Sequence, residues 1–171
     1  AAPGEPSARE ALRRAVQDSL DGATAPEDGS GSADPADRGT GVDRATAALR
    51  RAYRDRLMAI VADDLTSPDP IEQVPTVCRR MAELADAALD AALLIARAAV
   101  GPQADDVALA VIAMGKTGAR ELNYISDVDV VYVVGPAQES RKTEEPPGEE
   151  HLVDVGTRLA TELAHVVSAT A

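Results

Sequence analysis

The chain has 171 residues, 45% of them apolar, enough to bury a core in one globular unit with appendages. Its 17 Lys and Arg against 29 Asp and Glu, a net charge of −12 and a pI near 4.5 oppose any large basic groove to neutralise phosphates. Nucleic-acid partners, and with them template-dependent polymerase or RNA-tailing roles, are therefore disfavoured. Three Tyr, no Phe and no Trp require a core of Ala, Val and Leu, which favours closely packed helices around a small sheet.

Ser7 with Glu10 three residues on forms a capping-box pattern, and Leu12, Val16 and Leu20 follow at helical spacing. A short N-terminal helix is expected within residues 1–20. Residues 21–42 are dominated by Gly, Ser, Asp, Pro and Ala, with little apolar surface to offset the entropy of ordering, so a disordered linker is expected there. From Asp43 to Leu65, the residues Leu49, Tyr53, Leu57, Ile60, Val61 and Leu65 recur at three- and four-residue steps and predict one long amphipathic helix. Pro68 and Pro70 end it, and after Pro75 a second pattern runs to Val100, so residues 43–101 read as an antiparallel helical hairpin.

Beyond Gly101 the character changes. Val107 to Met114 and Val128 to Val134 are apolar runs that read as buried strands. Between them, glycine turns at Gly115 and Gly118 lead into a short helix expected over Ala119 to Leu122. A polar loop over Gly135 to Glu150 precedes a last helix carrying Leu152, Val155, Leu159, Leu163 and Val166. The fold class is α+β. The lone Cys78 cannot form an intrachain disulfide, no apolar run reaches membrane-span length, and no secretory signal pattern occurs, all of which suit a cytoplasmic protein without a membrane partner. The chain begins without Met and stops within a helical pattern, as a fragment of a longer protein would.

The chemistry centres on Ser126-Asp127-Val128-Asp129. Residues two apart on a strand share a face with Cα atoms about 6.5–7 Å apart. Two carboxylates so placed can bind one metal or a pair about 3.5–4 Å apart, as in phosphoryl and nucleotidyl transfer. Mg²⁺, which takes carboxylate and phosphate oxygens, is the fitting cofactor. A D-x-D at a strand start is by itself a weak signal, because most are solvated strand ends. The turn before it, Met114 to Glu121, adds Gly115 and Gly118 for close approach of a phosphate and Lys116 as a point charge. A P-loop is disfavoured, since Ala110 stands where its first glycine is required.

Strand, glycine turn, short helix and a second strand opening with D-x-D follow the element order of the DNA polymerase β-like nucleotidyltransferase fold. The run from Ala110 through Asp129 resembles the signature G-K-x-G-x-R-E-L-x-x-x-S-D-x-D of the N-terminal nucleotidyltransferase domain of glutamine synthetase adenylyltransferase/deadenylase. The resemblance extends over roughly Val42 to Val134, with Thr117 where Cys or Leu is expected. It implies Asp127 and Asp129 as catalytic, Mg²⁺-binding residues, and Gly115, Lys116, Gly118 and Ser126 as nucleotide- or phosphate-binding residues. It also implies glutamine synthetase as protein substrate, ATP or ADP as nucleotide, and a nitrogen-signalling regulatory protein as a further partner.

The activity so implied is removal of AMP from a tyrosine by phosphorolysis to ADP, within a bifunctional enzyme that regulates glutamine synthetase by reversible adenylylation. A third carboxylate, expected beside Leu-Arg-Pro, does not occur before Ala171, so residues 102–171 read as an incomplete nucleotidyltransferase domain and the isolated fragment as inactive. Two alternatives share these residues: a non-catalytic docking or regulatory fragment, and a small-molecule nucleotidyltransferase.

Overall fold

A computed structural model describes residues 6–24, 35–137 and 147–168. The elements are α1 (Ala8–Thr24), α2 (Pro35–Leu65), α3 (Pro70–Val100), a 3-10 turn (Pro102–Asp106), β1 (Val107–Ala113), a single helical turn α4 (Gly115–Gly118), β2 (Val130–Pro136) and α5 (Glu149–Ser168). This is an α+β chain, mostly helical, with one two-stranded antiparallel sheet among the described residues.

The capping box forms as its residues dictate. The Glu10 carboxylate accepts from the Ser7 backbone N–H and from its hydroxyl, each at 2.8 Å, and the Ser7 hydroxyl accepts in return from the Glu10 N–H. The backbone hydrogen bond from Ser7 holds the Glu10 carboxyl below its ordinary range. From this start α1 runs on to Thr24, and α2 begins at Pro35. The expected linker over 21–42 is thus helical at both ends, while residues 25–34 lie outside the described residues.

Helices α1, α2 and α3 pack pairwise into a bundle, and Leu12, Val16, Leu49, Leu84 and Ile95 are fully buried or nearly so. Arg13 ties α1 to Asp90 of α3 at 2.8 Å. The hairpin of α2 and α3 turns through Thr66 to Asp69, where Asp69 caps α3 by accepting from the Glu72 N–H. α3 starts at Pro70, earlier than the pattern after Pro75 indicates. Pro70 occupies a first-turn position that loses no helical hydrogen bond, and Pro75 lies on an exposed stretch of the helix, as does Ile71 four residues before it.

At the far end of α3, the Arg97 guanidinium donates to the carbonyls of Ala104 and Val107, at 2.7 and 3.0 Å. It thereby fixes where β1 leaves the bundle. β1 and β2 pair from Val107↔Pro136 to Ala113↔Val130. The continuous apolar runs of both strands suggest burial on both faces, but burial alternates along each. α5 packs against α3 and covers one sheet face, while Ile112, Val131 and Val133 on the other are 48%, 47% and 48% exposed. The polar loop is shorter than its composition indicates, because β2 continues to Pro136 and α5 starts at Glu149; residues 138–146 lie outside the described residues.

α5 buries Val155, Leu159, Leu163 and Val166 at helical spacing. It also carries Gly156 against the sheet, where a Cβ would come within 2.5 Å of Val134 Cγ2. At its start His151 pairs with Asp106, just before β1, at 3.1 Å. No helix among the described residues is long and apolar enough to cross a membrane.

The Gly156 contact yields a prediction. In an open helix interior Gly→Ala stabilises by up to about 1 kcal/mol, but here Gly156→Ala should cost about 1–3 kcal/mol by overpacking. Adding Val134→Ala should recover part of that loss in urea unfolding. Stabilisation by Gly156→Ala alone would show that helix and strand are not in close contact.

Candidate functional site

The site is built around the end of β1. After Ala113 the chain needs an abrupt turn, and two glycines supply it for different reasons. Gly115 has φ +52°, and a Cβ there would stand 3.2 Å from Asp129 Oδ2. Gly118 is required sterically: a Cβ would fall 2.5 Å from the Ala113 carbonyl oxygen, and its N–H already donates to the Met114 carbonyl at 3.0 Å. The helical turn is therefore Gly115–Gly118 itself, ahead of the Ala119–Leu122 stretch expected to be helical, and the chain leaves it through Arg120 at φ +62°.

The return strand brings the carboxylates back to this turn. Asp127 and Asp129 lie in an irregular stretch just before β2, which starts at Val130 rather than Val128. The Met114 N–H donates to the Asp129 carbonyl at 2.8 Å, extending the strand pairing by one residue and setting Asp129 beside Gly115. Both Asp127 and Asp129 are exposed, and neither is in an ion pair among the described residues.

Lys116 and Ser126 also meet here, with Lys116 Nζ donating to Ser126 Oγ at 3.3 Å. Ser126 Oγ donates in turn to Asn123 Oδ1 at 2.7 Å, and the same oxygen accepts from the Ile125 N–H at 3.2 Å. Asn123 thus closes an Asx turn that aims the chain into the D-x-D. Sequence reasoning assigned Asn123 no role, although its spacing of two and three residues from Ile125 and Ser126 is a recognisable turn signal.

Gly115, Lys116, Ser126 and Asp129 are therefore brought together, Asp127 stands two residues from Asp129 at the same mouth, and Gly118 serves the turn behind them. Among the described residues no group of three or more His, Cys, Asp and Glu side chains forms a metal cage. The two aspartates nonetheless fit Mg²⁺ in their chemistry, as exposed hard-oxygen donors without a competing cation. The missing Cβ of Gly115 leaves the Asp129 carboxylate an open approach.

The site loop is held from behind. Leu122 is 3% exposed and belongs to the core, Arg120 pairs with Asp86 of α3, and the Tyr124 hydroxyl donates to Asp64 of α2 at 2.9 Å. The Tyr124 phenol is pushed up to about 12, first by desolvation of the hydroxyl and then by the hydrogen bond to Asp64. Asp64 and Asp86 lie 60 and 34 residues from their partners, so no local pattern could have shown these links. Thr117 is buried, at 1% exposed, and its hydroxyl has no hydrogen-bond partner among the described residues.

A glycine turn is thus set against an aspartate-bearing strand mouth in an α+β chain. A sequence profile of the glutamate-ammonia ligase adenylyltransferase family matches residues 10–171, and the chain belongs to that family. Relatives named bifunctional glutamine synthetase adenylyltransferase/adenylyl-removing enzyme include one from Bifidobacterium longum (strain DJO10A), 44% identical over 122 residues, which is 71% of this chain and 11% of that protein. The Nocardia farcinica protein of the same name is 47% identical over 128 residues, 72% of this chain and 11% of its own length. That of Corynebacterium diphtheriae is 52% identical over 104 residues, 55% of this chain and 10% of its own length. The chain thus spans about a tenth of the length of the curated relatives it matches. No solved structure matches it.

The orphaned Thr117 hydroxyl predicts a stabilising substitution. Thr117→Val keeps the β-branched shape and removes an unpaired buried polar group, so it should raise stability by about 1 kcal/mol. Thermal unfolding checks this; a lower midpoint would mean that the hydroxyl has a partner in solution.

Proposed function

We propose that this chain forms the metal- and nucleotide-binding front of a DNA polymerase β-like nucleotidyltransferase domain, in an enzyme that regulates glutamine synthetase by reversible adenylylation. We assign it to the adenylyl-removing half. The observation that carries this reading is the Asp129 carboxylate set against the Cβ-less Gly115, with Lys116 and Ser126 joined beside it. The assignment to one half rests on the likeness of Ala110 through Asp129 to the N-terminal domain signature, and the relatives' names carry both activities.

In this reading, an oxygen of inorganic phosphate attacks the phosphorus of the AMP group on a glutamine synthetase tyrosine. The phosphorus–oxygen bond to the tyrosine breaks, releasing ADP and the free side chain. Asp127 and Asp129 hold Mg²⁺, which supplies positive charge against the phosphate oxygens. Gly115 lets a phosphate approach the backbone, and Lys116 adds a cation on the same side. Ser126, bonded to both Lys116 and Asn123, holds the D-x-D and the lysine in register. A further carboxylate and the glutamine synthetase surface would come from elsewhere in the longer protein.

The test uses the full-length enzyme assayed in both directions. Asp127→Asn and Asp129→Asn should each lower adenylyl removal on the order of 10²–10³-fold, as loss of one electrostatic stabiliser does. AMP addition and the unfolding midpoint should be retained, because exposed carboxylates at a strand mouth contribute little to packing. Loss of AMP addition instead would move the site to the other half, and retention of both activities would reject the metal-ligand assignment.

A further inference from the structure

Between the glycine turn and the D-x-D the chain runs Arg120-Glu121-Leu122-Asn123-Tyr124, and alternate residues of this stretch are bound to the helical bundle. Arg120 Nη1 meets Asp86 Oδ2 on α3, Leu122 is buried in the core, and Tyr124 donates to Asp64 at the end of α2. The intervening Asn123 makes the Asx turn that leads to Ser126, and Ile125 is 93% exposed.

Arg120 is the informative member. It has the only positive φ at a non-glycine residue among those described, a conformation that L side chains adopt at a cost and that glycine adopts freely. Its guanidinium pairs with Asp86 on the surface, where side-chain exposures are 47% and 24%. Such a pair adds little to stability. The left-handed backbone of Arg120 closes the α4 turn, its N–H donating to the Thr117 carbonyl at 3.2 Å and the Glu121 N–H to the Lys116 carbonyl at 2.8 Å, so the pair with Asp86 ties the end of that turn to α3.

We infer that Arg120 and Tyr124 are positioning residues for the Asp127–Asp129 site, through which the α2–α3 hairpin fixes the loop that carries the carboxylates. The inference rests on the metal-site reading given above. Arg120 sets the exit from the Gly115 turn against α3, and Tyr124 sets the entry to the Asx turn against α2. Asp129, bonded to Met114 on one side, is thereby held at a fixed place relative to Asp127 and Gly115. Release of either anchor leaves the carboxylates present but loosely placed, which weakens metal capture before it affects folding.

The experiment measures the Mg²⁺ dependence of adenylyl removal by the full-length enzyme, alongside thermal unfolding. Arg120→Gly relieves the backbone strain while deleting the pair, so its thermal midpoint should stay close to that of the parent. Its half-saturating Mg²⁺ concentration should rise about tenfold, the lower end of what loss of a ligand-orienting partner causes. Asp86→Asn should do the same, and the double variant should be no worse than either single one. Tyr124→Phe should shift Mg²⁺ dependence in the same direction, and Arg120→Lys should restore most of the parent behaviour.

Unchanged Mg²⁺ dependence in Arg120→Gly and Asp86→Asn, with Asp129→Asn inactive, would overturn the positioning role and leave the metal site standing. An active Asp129→Asn would overturn the metal site and this inference with it.

Discussion

Everything at the candidate site depends on one local constraint: the chain reverses at the end of β1 and comes back with Asp129 beside Gly115. The Met114 N–H to Asp129 carbonyl bond closes that junction, and any side chain at position 115 would crowd the carboxylate. From this contact the remaining geometry follows. Lys116 can reach Ser126 only because the turn and the strand mouth are adjacent, and Gly118 has to pass within van der Waals contact of the Ala113 carbonyl for the turn to be so tight.

The helical part of the chain sets this junction in space without contributing a reacting group. Arg97 pins the start of β1 through two carbonyls, α5 supports the sheet through the Gly156–Val134 approach, and the α2–α3 hairpin holds the site loop from behind. A fold with few aromatics achieves this by close approach: Ala85, Ala88, Ala92 and Ala96 of α3 are buried, and short side chains let neighbouring helices pack near its backbone. The strong negative charge is spread over helix surfaces, so the two aspartates at the strand mouth are distinguished by position rather than by charge density.

Much of this was legible in the sequence wherever a short-range rule governs. The capping box at Ser7 and Glu10, the apolar spacing of α5 and the first strand appear where their patterns place them, while the second strand starts two residues late and the helical turn sits on Gly115–Gly118 rather than after it. Reading failed where tertiary packing decides. Pro75 lies inside α3 on an exposed stretch, α2 extends through a stretch with little apolar content, and the strands are covered on one face despite continuous apolar runs. The anchors from Arg120 to Asp86 and from Tyr124 to Asp64 join distant parts of the chain and leave no periodic trace.

The central claim is that Asp127 and Asp129 hold a divalent metal against the Gly115 turn. Fe²⁺ substituted for Mg²⁺ in the full-length enzyme, with ascorbate and peroxide, generates radicals that cut the backbone close to the bound ion. The account predicts cleavage concentrated at Gly115–Lys116 and at Ser126–Asp129, suppressed by excess Mg²⁺ and absent from this segment in Asp129→Asn. Cuts scattered over the acidic helix surfaces, or none in this segment while Mg²⁺-dependent activity persists, would contradict it.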